Sequence, residues 1–256
     1  MSLSPDLPPD PWDGLKTFTA ARIALGRTGT SIPLREALAF KLAHAHAREA
    51  VYSVLEADRL LAELAAFSVP VLQVSSQAAT RPEYLQRPDL GRQLNDASKA
   101  ALAEQAPENC DLAIVLADGL SATALNTHAV PLLRRLLPEL AAAGLRLGPL
   151  VLAEQARVAL GDEVGSLLKA RLVLVLIGER PGLSAPDSLG AYFTYAPRPG
   201  LTDEARNCVS NIRPAGLPYA AAAAKLAWLL REAVRRQVSG VGLKDQADGL
   251  LSAGAA

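Results

Sequence analysis

From residue 34 onward apolar positions recur every three or four residues, at Leu34, Leu38, Leu42 and Ala45, and Val51, Val54 and Leu55 renew the stripe. That spacing is one face of a helix and predicts a mainly helical segment up to about Ala66. Ser31 and Pro33 stand where it would begin: a serine side chain accepts from unpaired first-turn amides, and proline is tolerated in a first turn. VPVLQVSS, from Val69, breaks the pattern and reads as a short strand or extended segment.

At Asp111 the pattern changes. DLAIVLA is a continuous apolar run, followed by a turn at Asp118 and Gly119 and a long alanine- and leucine-rich helix. LRLGPLVLAEQ predicts a second strand, RVALGDEVGSLLKA a helix, and RLVLVLIGE a third strand. Apolar strands alternating with helices predict an α/β fold with a parallel sheet covered on both faces. AYFTYAP, rich in aromatic residues, reads as a further strand. From Tyr219 to Arg236 a helix places Leu226, Leu229, Leu230, Ala233 and Val234 on one face, with Ser239 and Gly240 to end it. There is no internal repeat.

The division this suggests is an N-terminal arm and helical region over residues 1–105 and an α/β domain over 106–256. Residues 1–13 are rich in proline and aspartate, so they read as an arm that only another surface could pack. With 256 residues, half of them apolar, the chain can bury a sizeable core. The 26 basic and 26 acidic residues cancel, which gives no reason to expect nucleic acid or an anionic membrane as partner. Zero net charge also offers little protection against association and fits a subunit of a complex. Cys110 and Cys208 belong to no Cys-x-x-Cys pattern and build neither a disulfide framework nor a zinc site. The N-terminal MSLSPDLPPDPWDGL lacks the features of a signal peptide, and no apolar run reaches a membrane span. Cytoplasmic residence is expected.

In open parallel sheets ligands sit beyond the carboxyl ends of the strands. The loops predicted there are Asp118–Ser121, Gln155–Asp162, Gly178–Gly182 and Arg206–Asn211. None carries Gly-x-Gly-x-x-Gly or a phosphate-binding Gly-Lys-Ser/Thr ending, which disfavours dinucleotides and triphosphates. Ser121 is not in a Gly-x-Ser-x-Gly turn and, with His128 a helical stretch downstream, is expected to cap a helix rather than act as a nucleophile. His44 and His46 are two apart on a helix and so point in different directions, not at one metal ion. Cys208 has no neighbouring base and reads as a small apolar residue. Glu179 is the exception: an acid at the rim of a sheet needs a partner. An ion pair with Arg180 that holds the loop, and a contact to a ligand, stand level on spacing alone.

ARIALGRTGTSIP (21–33), LAHAHAREAV (42–51), YLQRPDLGRQL (84–94), VLADGLSATA (115–124), RVALGDEVG (157–165), LIGERPGLSAPDSLGAY (176–192) and RNCVSNIRPAG (206–216) together resemble the small subunit, or light chain, of ethanolamine ammonia-lyase, in collinear order over nearly the whole chain. The resemblance implies an adenosylcobalamin-dependent enzyme converting ethanolamine to acetaldehyde and ammonia by a radical mechanism. It implies a helical N-terminal part and a Rossmann-like domain in this chain. It also implies a large subunit with a TIM barrel that holds the substrate, the cobalamin lying between the two, and an assembly described as a trimer of heterodimer pairs. The family's cobalamin-contacting positions fall on Val158, Glu179 and Cys208. This chain then needs no acid–base pair of its own, because the cofactor carries the chemistry. It lacks the Asp-x-His-x-x-Gly motif by which a histidine replaces the cofactor's base, so dimethylbenzimidazole is expected to stay on cobalt. Some members of the family enter a bacterial microcompartment through a longer N-terminal segment than the short arm here. A flavodoxin-like binding module and a non-catalytic scaffold subunit are the competing readings.

Overall fold

The computed structural model describes residues 12–19, 21–107 and 110–244. Its centre is a six-stranded sheet built from β1 (Val71–Ser75), β2 (Cys110–Ala117), β3 (Leu147–Glu154), β4 (Ala170–Gly178), β5 (Leu189–Tyr195) and β6 (Arg206–Ile212). Their order is β1-β3-β2-β4-β5-β6. The first four neighbours run parallel, whereas β5 is antiparallel to β4 and β6 to β5. The class is α/β, as the pattern predicts, but the sheet is mixed. The reason lies between β4 and β5: residues 179–188 hold no helix to carry the chain back across the sheet, so the strand returns antiparallel.

Alternation along β2 divides the core. Leu112, Ile114 and Leu116 pack with α2 (Ala57–Leu64), α5 (Ala122–Ala142) and α7 (Tyr219–Arg236) on one face. Ala113, Val115 and Ala117 pack with α4 (Asp96–Glu104) and α6 (Leu160–Leu167) on the other. Every β2 residue is therefore buried, which is why its sequence shows no polar period.

The segment at residue 70 is β1, so the sheet begins well before residue 106. The predicted N-terminal helix is α1 (Leu34–Tyr52), separated from α2 by an irregular stretch at 53–56. Pro33 occupies its cap position without a side-chain bond, and Ser31 instead pairs with Thr28 through the backbone. The stripe that predicts α1 is not core: Leu34, Leu38 and Leu42 are 74%, 54% and 59% exposed. The bounds of α7 are those predicted, but its end is set by Gln237 in the left-handed region. Residues 206–211, expected as a loop, form most of β6. Only Arg206, Val209 and Ile212 are buried in that edge strand, and its polar outward positions hide the strand period. The proposed arm lies mostly outside the described residues, except that Asp13–Phe18 form a 3₁₀ turn. Among the described residues no helix is long and apolar enough to cross a membrane.

Candidate functional site

The carboxyl ends of β2, β3 and β4 converge as the sheet rule requires. Gly119, in the turn after β2, has φ +58°, and an added Cβ would lie 2.2 Å from the Gly178 carbonyl oxygen. A Cβ on Gly178 would in turn meet the Ser121 carbonyl oxygen at 2.0 Å. The two strand-end loops thus touch main chain to main chain, and the Leu120 amide donates to the Gly178 carbonyl at 2.9 Å. Ser121 caps α5 by accepting from the Ala124 amide and donates to the Pro186 carbonyl at 3.1 Å, as expected of a cap and not of a nucleophile.

Over these ends lies a cavity of about 440 Å³ lined by Arg157, Val158, Ile177, Glu179, Arg180 and Tyr192, among others. A second, of about 370 Å³, adjoins it, sharing Leu120, Arg157 and Arg180 and continuing to Val51, Leu85 and Pro88. Together they form an open floor. Val158 and Glu179 are brought into the first cavity from opposite sides of the sheet order, one after β3 and one after β4. Cys208 is not part of that lining. It sits exposed on β6 directly across from Tyr192, whose ring does line it. Burial raises the pKa of Tyr192, and the facing thiol raises it further.

The Glu179 carboxylate does not pair with Arg180. It accepts from the Ser188 hydroxyl and, at 3.2 Å, from the Asn211 amide, while its own amide donates to the Ser188 carbonyl at 3.0 Å. Gly190 beneath it has no side chain because a Cβ there would lie 2.9 Å from Glu179 Oε1. The carboxylate is therefore held in one place, with its second oxygen left to other donors.

Beneath the floor Tyr84 is fully buried, donates to the Ala156 carbonyl at 3.1 Å, and lies between two guanidinium groups, Arg157 at 4.1 Å and Arg81 at 4.8 Å from its ring centre. Arg81 ties the end of α1 to the β2 turn by donating to the carbonyls of Val51 and Gly119 at 2.9 and 2.8 Å. Asp118 beside it accepts from the Ala156 amide at 3.0 Å. Burial pushes the Asp118 carboxyl up to about 6, against the pull of that amide and of Arg81. A raised carboxyl adds stability that is complete below its unfolded value near 3.8 and is lost as pH rises through about 6. Asp118→Asn is accordingly expected to flatten the fall of melting temperature with pH between about 4 and 6, measured by scanning calorimetry on both proteins; an unchanged slope would show that Asp118 does not titrate there.

His128 is buried, with Nδ1 2.7 Å from the Tyr219 hydroxyl and Nε2 3.2 Å from Asp187, so both ring nitrogens are engaged under the 180–188 loop. His44 and His46 are exposed on α1, and no cluster of His, Cys, Asp and Glu able to hold a metal occurs among the described residues. Periodicity could not single out Tyr84, Arg157 or Tyr192, because they meet the floor only through long-range packing. All three do stand inside quoted motifs, YLQRPDLGRQL, RVALGDEVG and LIGERPGLSAPDSLGAY.

The family model described as ethanolamine ammonia-lyase light chain matches residues 9–244. The chain is 58% identical over 243 residues to the ethanolamine ammonia-lyase small subunit of Bradyrhizobium diazoefficiens, covering 94% of this chain and 93% of that one. It is 55% identical to the protein of the same name from Pseudomonas fluorescens, covering 94% and 88% of the two chains. For the Ralstonia nicotianae protein of that name the identity is again 55%, over 96% and 92%.

Proposed function

Since the chain belongs to the ethanolamine ammonia-lyase light-chain family, we propose that it contributes one wall of an adenosylcobalamin site shared with the large subunit that its relatives' name implies. The substrate in this reading is ethanolamine, the products are acetaldehyde and ammonia, and the mechanism is radical. When bound, adenosylcobalamin supplies the homolysis that starts such chemistry. The residues of this chain's floor would bind and orient it.

The observation that carries the reading is the open floor itself, with a fixed carboxylate in the lining of its larger cavity. A corrin is wide and rimmed with amide donors, and Glu179 presents an oxygen whose position is set by Ser188 and Asn211. Val158 offers apolar contact beside it. Cys208, facing Tyr192 across the β5–β6 ladder, extends the surface outward. His128 is buried and bonded through both nitrogens, so it offers no free ring nitrogen to the floor.

The exposed stripe of α1 belongs to the same reading. Leu34, Leu38 and Leu42 leave a run of apolar surface along a helix whose only buried residue is Ala50. Such a face needs a cover, and the large subunit is the occupant proposed. Assembly as a trimer of heterodimer pairs and residence in the cytoplasm, free or within a microcompartment, complete the proposal.

Co-expression with an ethanolamine ammonia-lyase large subunit tests the whole. The complex is expected to release acetaldehyde from ethanolamine only with adenosylcobalamin, and the isolated chain neither to turn over nor to hold cobalamin tightly. Glu179→Gln is expected to weaken cobalamin binding by the complex about tenfold, roughly one charge-assisted hydrogen bond. Turnover by the isolated chain, or unchanged affinity in the variant, would remove respectively the division of labour and the role of Glu179.

A further inference from the structure

Two arginines on the floor carry charges that no carboxylate among the described residues answers. Arg157 and Arg180 each line both cavities and so mark the seam between them. Among the described residues neither forms an ion pair, whereas Arg81, Arg146, Arg171, Arg206 and Arg213 all do. The single carboxylate in the two linings, Glu179, is turned to Ser188 and Asn211.

Arg157 is also held still. Its guanidinium lies 4.1 Å over the Tyr84 ring, Nη2 donates to the Tyr84 carbonyl at 3.1 Å, and its amide donates to the Gly91 carbonyl at 2.8 Å. Its Nε is buried without a partner. Tyr84 is fully buried with Arg81 also against its ring, and the charge of Arg81 is met by Asp118. A guanidinium fixed by stacking and left without a counter-ion at a concave surface is prepared for an anion, which it binds with little loss of side-chain freedom.

We infer that Arg157 and Arg180 form an anion subsite that takes the phosphodiester of the cofactor's nucleotide tail, at the seam where the corrin leaves one cavity and the nucleotide enters the other. This rests on the cobalamin reading above. The corrin's peripheral side chains are neutral amides, and the phosphodiester is the one anionic group such a cofactor can bring to a pair of arginines. The subsite would thus register the nucleotide end and fix which way round the corrin lies on the floor.

The test compares two probes on the co-expressed complex by absorbance titration: cyanocobalamin, which has the phosphodiester, and dicyanocobinamide, which lacks the whole nucleotide tail. Arg157→Gln and Arg180→Gln are each expected to weaken cyanocobalamin about tenfold while leaving dicyanocobinamide within about twofold, the loss of one charge-assisted contact. Arg180 is exposed and makes no hydrogen bond within the described chain, so its variant tests the subsite even if Arg157→Gln disturbs Tyr84. Equal weakening of both probes, or of neither, would overturn the subsite while leaving the cobalamin reading intact. Failure of the unaltered complex to bind either probe would sink both.

Discussion

Arg206→Met is expected to cost about 3–5 kcal/mol of folding stability, the range for removing one partner of a buried ion pair. Arg206 Nη1 lies 2.6 Å from Asp162 Oδ1, and the two side chains are 3% and 2% exposed. The guanidinium also donates to the Thr194 hydroxyl at 3.2 Å and the Leu201 carbonyl at 3.0 Å, so one side chain ties α6, β5 and the 196–205 loop to β6. Burial pushes the Asp162 carboxyl up, and Arg206 is the main force opposing that rise. With methionine in its place the carboxyl rises further and is left as an uncompensated charge at neutral pH. The sign follows: the variant's deficit should be largest near pH 7 and shrink towards pH 4, where Asp162 can take a proton. Urea unfolding of the two proteins at both pH values measures it. The double variant Asp162→Leu/Arg206→Met should recover part of the loss, because an apolar pair leaves no stranded charge. A double variant as unstable as the single one would mean that packing, not charge, holds this corner.

The elements that are legible in the sequence are those whose environment is uniform along their length. β2 and β4 are buried on both faces, so their apolar runs are unbroken, and α7 shows a single stripe because a single face is covered. β6 is opaque for the opposite reason. It is held by its backbone to β5 on one edge, and Asn207, Cys208, Ser210 and Asn211 look outward or sideways, so neither period survives. α1 is legible as a helix but misleading as core, since its apolar stripe is exposed among the described residues.

The site divides in the same way. Strand-end loops can be located from the strands that precede them, which places Asp118 and Glu179 at the rim. The pairing of Glu179 could not be read, because Ser188 and Asn211 arrive from the next loop and from an antiparallel strand that the pattern does not announce. Nor could the stack of Arg157 on Tyr84, whose members lie far apart in sequence and meet only when β1 and β3 pair.

Gly178→Ala should fail where a neighbouring glycine tolerates the same change. A Cβ at Gly178 would lie 2.0 Å from the Ser121 carbonyl oxygen and 2.7 Å from that of Asp118. Both are main-chain atoms, so no rotamer can relieve the contact and the loops after β2 and β4 must separate. The expected cost is about 3 kcal/mol, the upper end of ordinary overpacking, read as a fall in melting temperature of several degrees. Separation would also move Glu179, the next residue, away from Val158, so cobalamin affinity of the assembled complex should fall together with stability. Gly182 lies in the same loop, but a Cβ there meets nothing closer than 3.7 Å, so Gly182→Ala is expected to leave both nearly unchanged. If Gly178→Ala melts with the unaltered protein, the contact between the two loops is not what fixes the floor. If it is destabilised yet binds cobalamin normally, Glu179 owes its position to Ser188 and Asn211 alone, and the strand end serves only to bring it within their reach.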